Sequence, residues 1–288
     1  MHLKINGGCK LKNNQRWKNF CRAVTAELKE HRSTFLIYTG LRLLVTIIFI
    51  MQLFNRNYES AFLCVLTLAL MILPSVVQVT FRVELPTLLE IIILIFIFAA
   101  EILGEIRSFY MQFPYWDTIL HTINGFLCAA VGFSLVDIMN RQSRVKFDLS
   151  PLFMAVVAFC FSMTIGVLWE FFEFGMDMLF GLDMQKDTIV HTISSTLLDP
   201  ALKNNCVSIT EIHEVVLDGR TLSIDGYLDI GLIDTMCDLI VNFIGALTFS
   251  FMGYFYIKYQ NHKSLVEGLI PEPWSEEKQA AYQKSKKQ

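Results

Sequence analysis

Six apolar runs, at 34–54, 60–79, 85–106, 117–139, 151–180 and 231–257, set the pattern of the chain. Each is long enough to cross about 30 Å of hydrocarbon as a helix of roughly 20 residues. The fifth is too long for a perpendicular crossing, so it tilts or projects beyond the bilayer. Between the fifth and sixth runs lies a polar stretch, 181–230, too long for a simple linker. Residues 187–198 within it read as a short amphipathic helix. Residues 207–216 and 221–224 are β-prone and flank Asp218-Gly219, a two-residue hairpin signal. The pattern predicts an all-α membrane protein: six transmembrane helices with a small extracytoplasmic β-hairpin and short-helix insertion between spans five and six. A basic arm (1–33) precedes the six-span domain (34–258, external insertion 181–230), and a polar tail (259–288) follows it.

Polar residues interrupt the apolar runs at helical spacing. Asp117 and His121 stand four apart, Glu170, Glu173 and Asp177 step by three and four, and Asp234, Asp238 and Asn242 step by four. Each set therefore lines one stripe of a helix. Ionisable groups within a membrane segment are costly and mark a functional site by default. At about 1.5 Å per residue, His121 lies roughly 6 Å below the start of its span, and Asp234, Asp238 and Asn242 roughly 5, 10 and 16 Å below theirs. Glu101 lies roughly 8 Å from the same surface. Four helices thus bring polar groups to one third of the membrane. Asp117 and Asp234 also suit helix N-termini as caps. Arg42 and Glu90 sit deeper, toward the other surface, and read as a structural ion pair.

Charge distribution orients the spans. Eighteen Lys and Arg residues fall on the side of the two termini, among them Lys4, Arg16, Arg144 and Lys284. The alternate side holds five: Arg56, Arg107, Lys186, Lys203 and Arg220. The positive-inside rule places both termini in the cytoplasm. With 53% hydrophobic and 18% charged residues the chain does not read as a soluble domain. The arm around Trp17 and Phe20 reads either as an interfacial helix on anionic lipid or as a solvated basic tail. No cleavable leader pattern opens the sequence. Seven cysteines without a CxxC pair argue against a disulfide framework or a thiolate zinc site. No basic groove or stacking platform speaks for nucleic acid.

One heptapeptide recurs: Asp117-Thr-Ile-Leu-His121-Thr-Ile returns as Asp187-Thr-Ile-Val-His191-Thr-Ile. Two copies do not make a repeat architecture. A shared capping role or coincidence accounts for them better than duplication.

Three motifs in order resemble the VanZ-like membrane proteins, and more closely the uncharacterised YjdF type. They are Asp117-Thr-Ile-Leu-His121, Glu170-Phe-Phe-Glu173 and Asp238-Leu-Ile-Val-Asn242-Phe-Ile-Gly245. Glu173 stands where the VanZ-like pattern has Gln, and Thr118 where a basic residue often follows the first Asp. Gly166-Val-Leu-Trp169-Glu170 and Gly226-Tyr-Leu-Asp229 extend the likeness, which covers roughly 85–258. The resemblance implies a multi-pass bacterial plasma-membrane protein, in a family some of whose members are linked to glycopeptide resistance.

The expected site is an acidic extracytoplasmic cleft of Glu101, Asp117, His121, Glu170, Glu173, Asp177, Asp234, Asp238 and Asn242. Crowded carboxylates must protonate, pair, hydrate or bind a cation, and a divalent ion suits this ligand set. His121, Glu173 and Asp238 are the candidate metal ligands and the candidate acid–base groups. Three functions compete. The first is recognition of a membrane lipid headgroup, a cell-envelope precursor or a glycopeptide-type ligand. The second is a metal-assisted reaction on such a lipid. The third, cation or proton-coupled transport, fits less well, because transport sites lie near the midplane between related halves.

Overall fold

A computed structural model describes residues 32–141, 149–201, 203–259 and 266–287. The basic arm with Trp17 and Phe20, and Arg144 and Lys146 of the fourth-to-fifth connection, lie outside the described residues. Among the described residues, six helices are long and apolar enough to cross a membrane: Leu36–Phe54, Tyr58–Thr80, Thr87–Ile106, Trp116–Asn140, Pro151–Phe180 and Leu232–Tyr259. They coincide with the six apolar runs. Their outward faces carry large apolar side chains such as Leu43, Phe62, Phe171, Ile240 and Phe251, as a hydrocarbon environment requires.

Two packed groups make the bundle. Spans one to three share a core of Tyr38, Val45, Cys64, Met71, Leu94 and Ile102. Spans four, five and six pack all against all around Ala130, Phe133, Ala158 and Phe249, with Leu89 of span three and Leu85 just before it joining them. The seam of the second group is built from small residues. Gly245 lies against the Thr122 carbonyl and Gly125 against the Asn242 backbone, so a methyl group at either would meet main chain. Ser162 donates to the Gly125 carbonyl at 2.7 Å. Membrane helices approach this closely through small residues because apolar lipid gives them no hydrophobic drive to associate.

Span three changes character at its end. The α-helix Thr87–Phe98 continues as a π-helix over Ala99–Ile106, which carries Glu101 and Glu105. Deep in the first group, the Arg42 guanidinium lies 4.4 Å over the Tyr38 ring and donates to the Leu68 carbonyl at 3.4 Å. Glu90 is buried on span three.

The insertion is loop-rich and antiparallel. Val216–Leu217 pairs with Arg220–Thr221 across Asp218-Gly219, whose φ values of 49° and 76° are those of the expected two-residue hairpin turn. Residues 187–198 do not form an amphipathic helix. Ile189–Val190 pairs with Tyr227–Leu228, Ile193–Ser195 pairs with Val207–Ile209, and only Thr196–Leu198 is helical, as a single 3-10 turn. Both pairings are non-local, and β-branched Thr188, Ile189, Val190, Thr192 and Ile193 suit extended backbone.

The tail folds back on the opposite end of the bundle. Glu272–Pro273 pairs with Val83–Glu84, and the Trp274 amide donates to the Arg82 carbonyl at 2.9 Å. Val266, Leu269 and Ile270 join the core of spans three to six, while Trp274 packs with Val79.

Candidate functional site

On the end of the bundle that carries the insertion, His121 is the hub. Its Nε2 lies 3.5 Å from Asp117 Oδ1 and 3.8 Å from Asp238 Oδ2, and its Nδ1 lies 3.8 Å from Glu170 Oε1. The three acids come from spans four, six and five. These distances exceed a hydrogen bond, so the imidazole is surrounded rather than tied. Asp238 is 3% and Glu170 4% exposed. Asp238 Oδ2 and Glu170 Oε2 are buried with no hydrogen-bond partner among the described residues. A buried carboxylate oxygen without a donor is unfavourable and calls for compensation.

Two overlapping sets of ligand atoms lie within 4.8 Å of one another. One joins Asp117, His121 and Asp238, the other His121, Glu170 and Glu173. Glu173 is oriented by span five itself, since the Trp169 indole one turn earlier donates to its Oε1 at 2.8 Å. The four-residue spacing that puts both on one stripe thereby also aims the carboxylate.

Other predicted site residues hold the architecture. Asp177 accepts from the amides of Met184 at 2.6 Å and Gln185 at 2.9 Å, so it fastens the chain leaving span five. Asp234 accepts from the Lys186 amide at 2.7 Å and closes the same loop onto span six. Asn242 lies below the cluster in the glycine seam, facing Asn124 Nδ2 at 3.5 Å and Met163 Sδ at 3.6 Å. Spans four, five and six therefore do meet at this end, and these bonds of Asp177, Asp234 and Asn242 run to the loop and the seam around the cluster.

Glu101 joins through a residue that the sequence pattern does not mark. Tyr110, in the short helix Phe109–Gln112 between spans three and four, lies over Gly104. Burial raises its hydroxyl above the ordinary tyrosine range. The Asp117, Glu105, Glu101 and Glu173 carboxylates push it further the same way. Tyr110 therefore stands as a neutral phenol within electrostatic reach of acids from three spans. Lys186, whose ammonium group contacts the Asp183 carbonyl, is within reach of Glu105, Asp117 and Asp234.

The arrangement can hold a cation. Imidazole and carboxylates suit zinc or manganese, while the carboxylates alone suit magnesium or calcium.

Comparison with known proteins agrees with the architecture. The family described as "Predicted membrane protein (DUF2238)" matches residues 37–259, which contain every residue of the cluster. An uncharacterised protein of Thermotoga maritima is 27% identical over 106 residues, 37% of this chain. The chain spans about half (53%) of the length of that relative. No solved structure matches.

Proposed function

The chain belongs to this family of predicted membrane proteins, and on that footing we propose that it is a binding protein. Its ligand is a divalent cation in the His121 cluster, through which it holds the anionic headgroup of a membrane lipid or lipid-linked envelope precursor. One observation carries the reading. Three carboxylates from three helices surround one imidazole at 3.5 to 3.8 Å, and two of their buried oxygens lack a donor. Like charges crowded in a medium of low dielectric need a counter-charge, and a divalent ion supplies one while keeping coordination positions for a phosphate or carboxylate oxygen. His121, Glu173 and Asp238 are the ligands with most at stake, flanked by Asp117 and Glu170. The neutral Tyr110 phenol, within electrostatic reach of Asp117 and Glu173, adds no further negative charge beside it.

The distribution of Lys and Arg supports an extracytoplasmic insertion and cytoplasmic termini in a bacterial plasma membrane. The VanZ-like motifs point toward the envelope as well. The glycine seam around Asn242 and the Phe133–Phe249 core lie below the cluster, which favours a dead-end cleft over a path for transport.

The test is Mn2+ titration of the protein in lipid nanodiscs, followed by EPR of the free ion. The expected result is a Mn2+ site that is weakened at least ten-fold by Asp238→Asn or His121→Ala and less by Asp177→Asn. Native mass spectrometry of the loaded protein would then show an anionic lipid adduct that leaves with the metal. Equal Mn2+ binding in all four proteins would sink the reading. Consumption of the adducted lipid, with a product released, would replace binding by catalysis at the same residues.

A further inference from the structure

The insertion carries a second constellation, separate from the membrane-embedded cluster. His191, the histidine of the recurring heptapeptide, meets His213 and Asp225, which come from distant points of the loop. One ligand atom of each residue lies within 4.8 Å of the other two. The two imidazole rings have centroids 5.3 Å apart.

The backbone builds this meeting. Ile189–Val190 pairs with Tyr227–Leu228, which brings the chain next to His191 alongside Asp225. Gly226 makes the close passage possible. Its φ of +138° is open to glycine, and a methyl group there would stand 2.5 Å from Ile189 Cγ2 and 3.0 Å from the Val190 carbonyl. The Ile212 amide donates to the His191 carbonyl at 3.0 Å, which brings His213 alongside.

The hydrogen bonds also set the ring chemistry. His191 Nδ1 lies 2.9 Å from the Ile212 carbonyl oxygen. A carbonyl only accepts, so Nδ1 carries the proton and Nε2 keeps its lone pair. His213 Nδ1 lies 2.7 Å from Asp225 Oδ1. Metal-binding histidines are held as His191 is, with one ring nitrogen donating to a carbonyl and the other left free to ligate, while His213 Nδ1 and Asp225 Oδ1 stand close enough for one ion to take both atoms. A hydrogen-bonded loop would not need the second imidazole beside the first.

We propose that His191, His213 and Asp225 form a solvent-open site for a borderline transition-metal dication such as Zn2+ or Cu2+. Two imidazoles and a carboxylate suit these ions, whereas magnesium and calcium prefer all-oxygen shells. The His213 and Asp225 side chains are 67% and 74% exposed, which leaves a coordination position to water. The ion therefore exchanges with the medium on the insertion face, unlike a closed structural zinc.

Cu2+ EPR with nitrogen modulation tests the site, using the tag-free full chain in nanodiscs at one equivalent of Cu2+. The expected spectrum shows two imidazole ligands, and His213→Gln reduces them to one. Zn2+ competes for the site, and its affinity falls at least ten-fold in His213→Gln and in Asp225→Asn. The membrane-embedded cluster offers a single imidazole, so His121→Ala leaves the two-imidazole signal intact whatever becomes of the cation proposed there. Three results would each overturn the site: no two-imidazole signal in the wild type, a signal that survives His213→Gln, or one lost in His121→Ala.

Discussion

Asn242 of span six occupies the notch left by Gly166 of span five: a methyl group on Gly166 would stand 2.6 Å from the Asn242 side-chain nitrogen. The contact joins two motifs more than seventy residues apart and sets the distance between the helices that carry Glu170 and Asp238. A polar side chain in a membrane bundle is thereby used as packing, with weak partners in Asn124 and Met163.

The three seam glycines separate by what they face. Gly125 and Gly245 abut main chain, which cannot yield, whereas Gly166 abuts the end of a side chain, which can. Gly125→Ala and Gly245→Ala should each destabilise by about 1–3 kcal/mol or more through overpacking, and Gly166→Ala by less. Thermal unfolding in detergent, read by intrinsic fluorescence, gives the order. A larger loss for Gly166→Ala would mean that Asn242 is locked by something stronger than its two long contacts.

At the opposite end, Trp274 is the pin of the returning tail. It is 4% exposed and packs with Val79 and Tyr282, and its amide bonds to Arg82. Trp274→Ala should cost about 3–5 kcal/mol of local packing and expose the 266–275 segment to protease. The half-buried Lys278–Glu84 pair at 3.3 Å should matter far less, within about 1 kcal/mol for Glu84→Gln. Limited proteolysis of the two variants distinguishes a packed anchor from an electrostatic one.

These contrasts mark where sequence patterns carry structural information. The six spans are legible because lipid demands unbroken apolar runs, and the Asp218-Gly219 turn because few residues accept positive φ. Helical spacing also singled out Asp117, His121, Glu170, Glu173 and Asp238. It could not separate Asp177 and Asp234 from them, because a carboxylate that accepts loop amides has the same spacing as one that faces His121. Tyr110 left no signal, since its place depends on how a short joint folds over Gly104. Residues 187–198 misled for a similar reason: their partners, Tyr227–Leu228 and Val207–Ile209, lie far along the chain.

The proposed division between ligand acids and frame acids is itself testable. Asp177→Ala removes the acceptor of two backbone amides, each such bond to a charged group being worth about 1.5–3 kcal/mol. Amide exchange at Met184 and Gln185 should accelerate at least ten-fold while Mn2+ affinity falls only modestly. Glu173→Ala should do the reverse, leaving the loop protected and weakening the ion. Loop opening in both variants would merge the two groups into one structural network.

Asp199 supplies one pH-dependent element of the insertion. Its carboxylate accepts from the amides of Ala201 and Lys203 at 2.9 Å and of Asn205 at 3.3 Å, and these bonds, that to Ala201 first, hold its pKa below the ordinary aspartate value. A depressed carboxylate pKa contributes stability that is present above the unfolded value, near about 4, and is lost as the pH falls through the folded value. Amide protection at Ala201, Lys203 and Asn205, corrected for intrinsic exchange, should therefore be flat from neutral pH down to about 5 and fall below about 4. Asp199→Ala should show weak protection at every pH, because the acceptor is gone rather than protonated. Hydrogen exchange by mass spectrometry reads both curves. A wild-type profile that stays flat through the acid range would show that these amides are held by something other than the charged carboxylate.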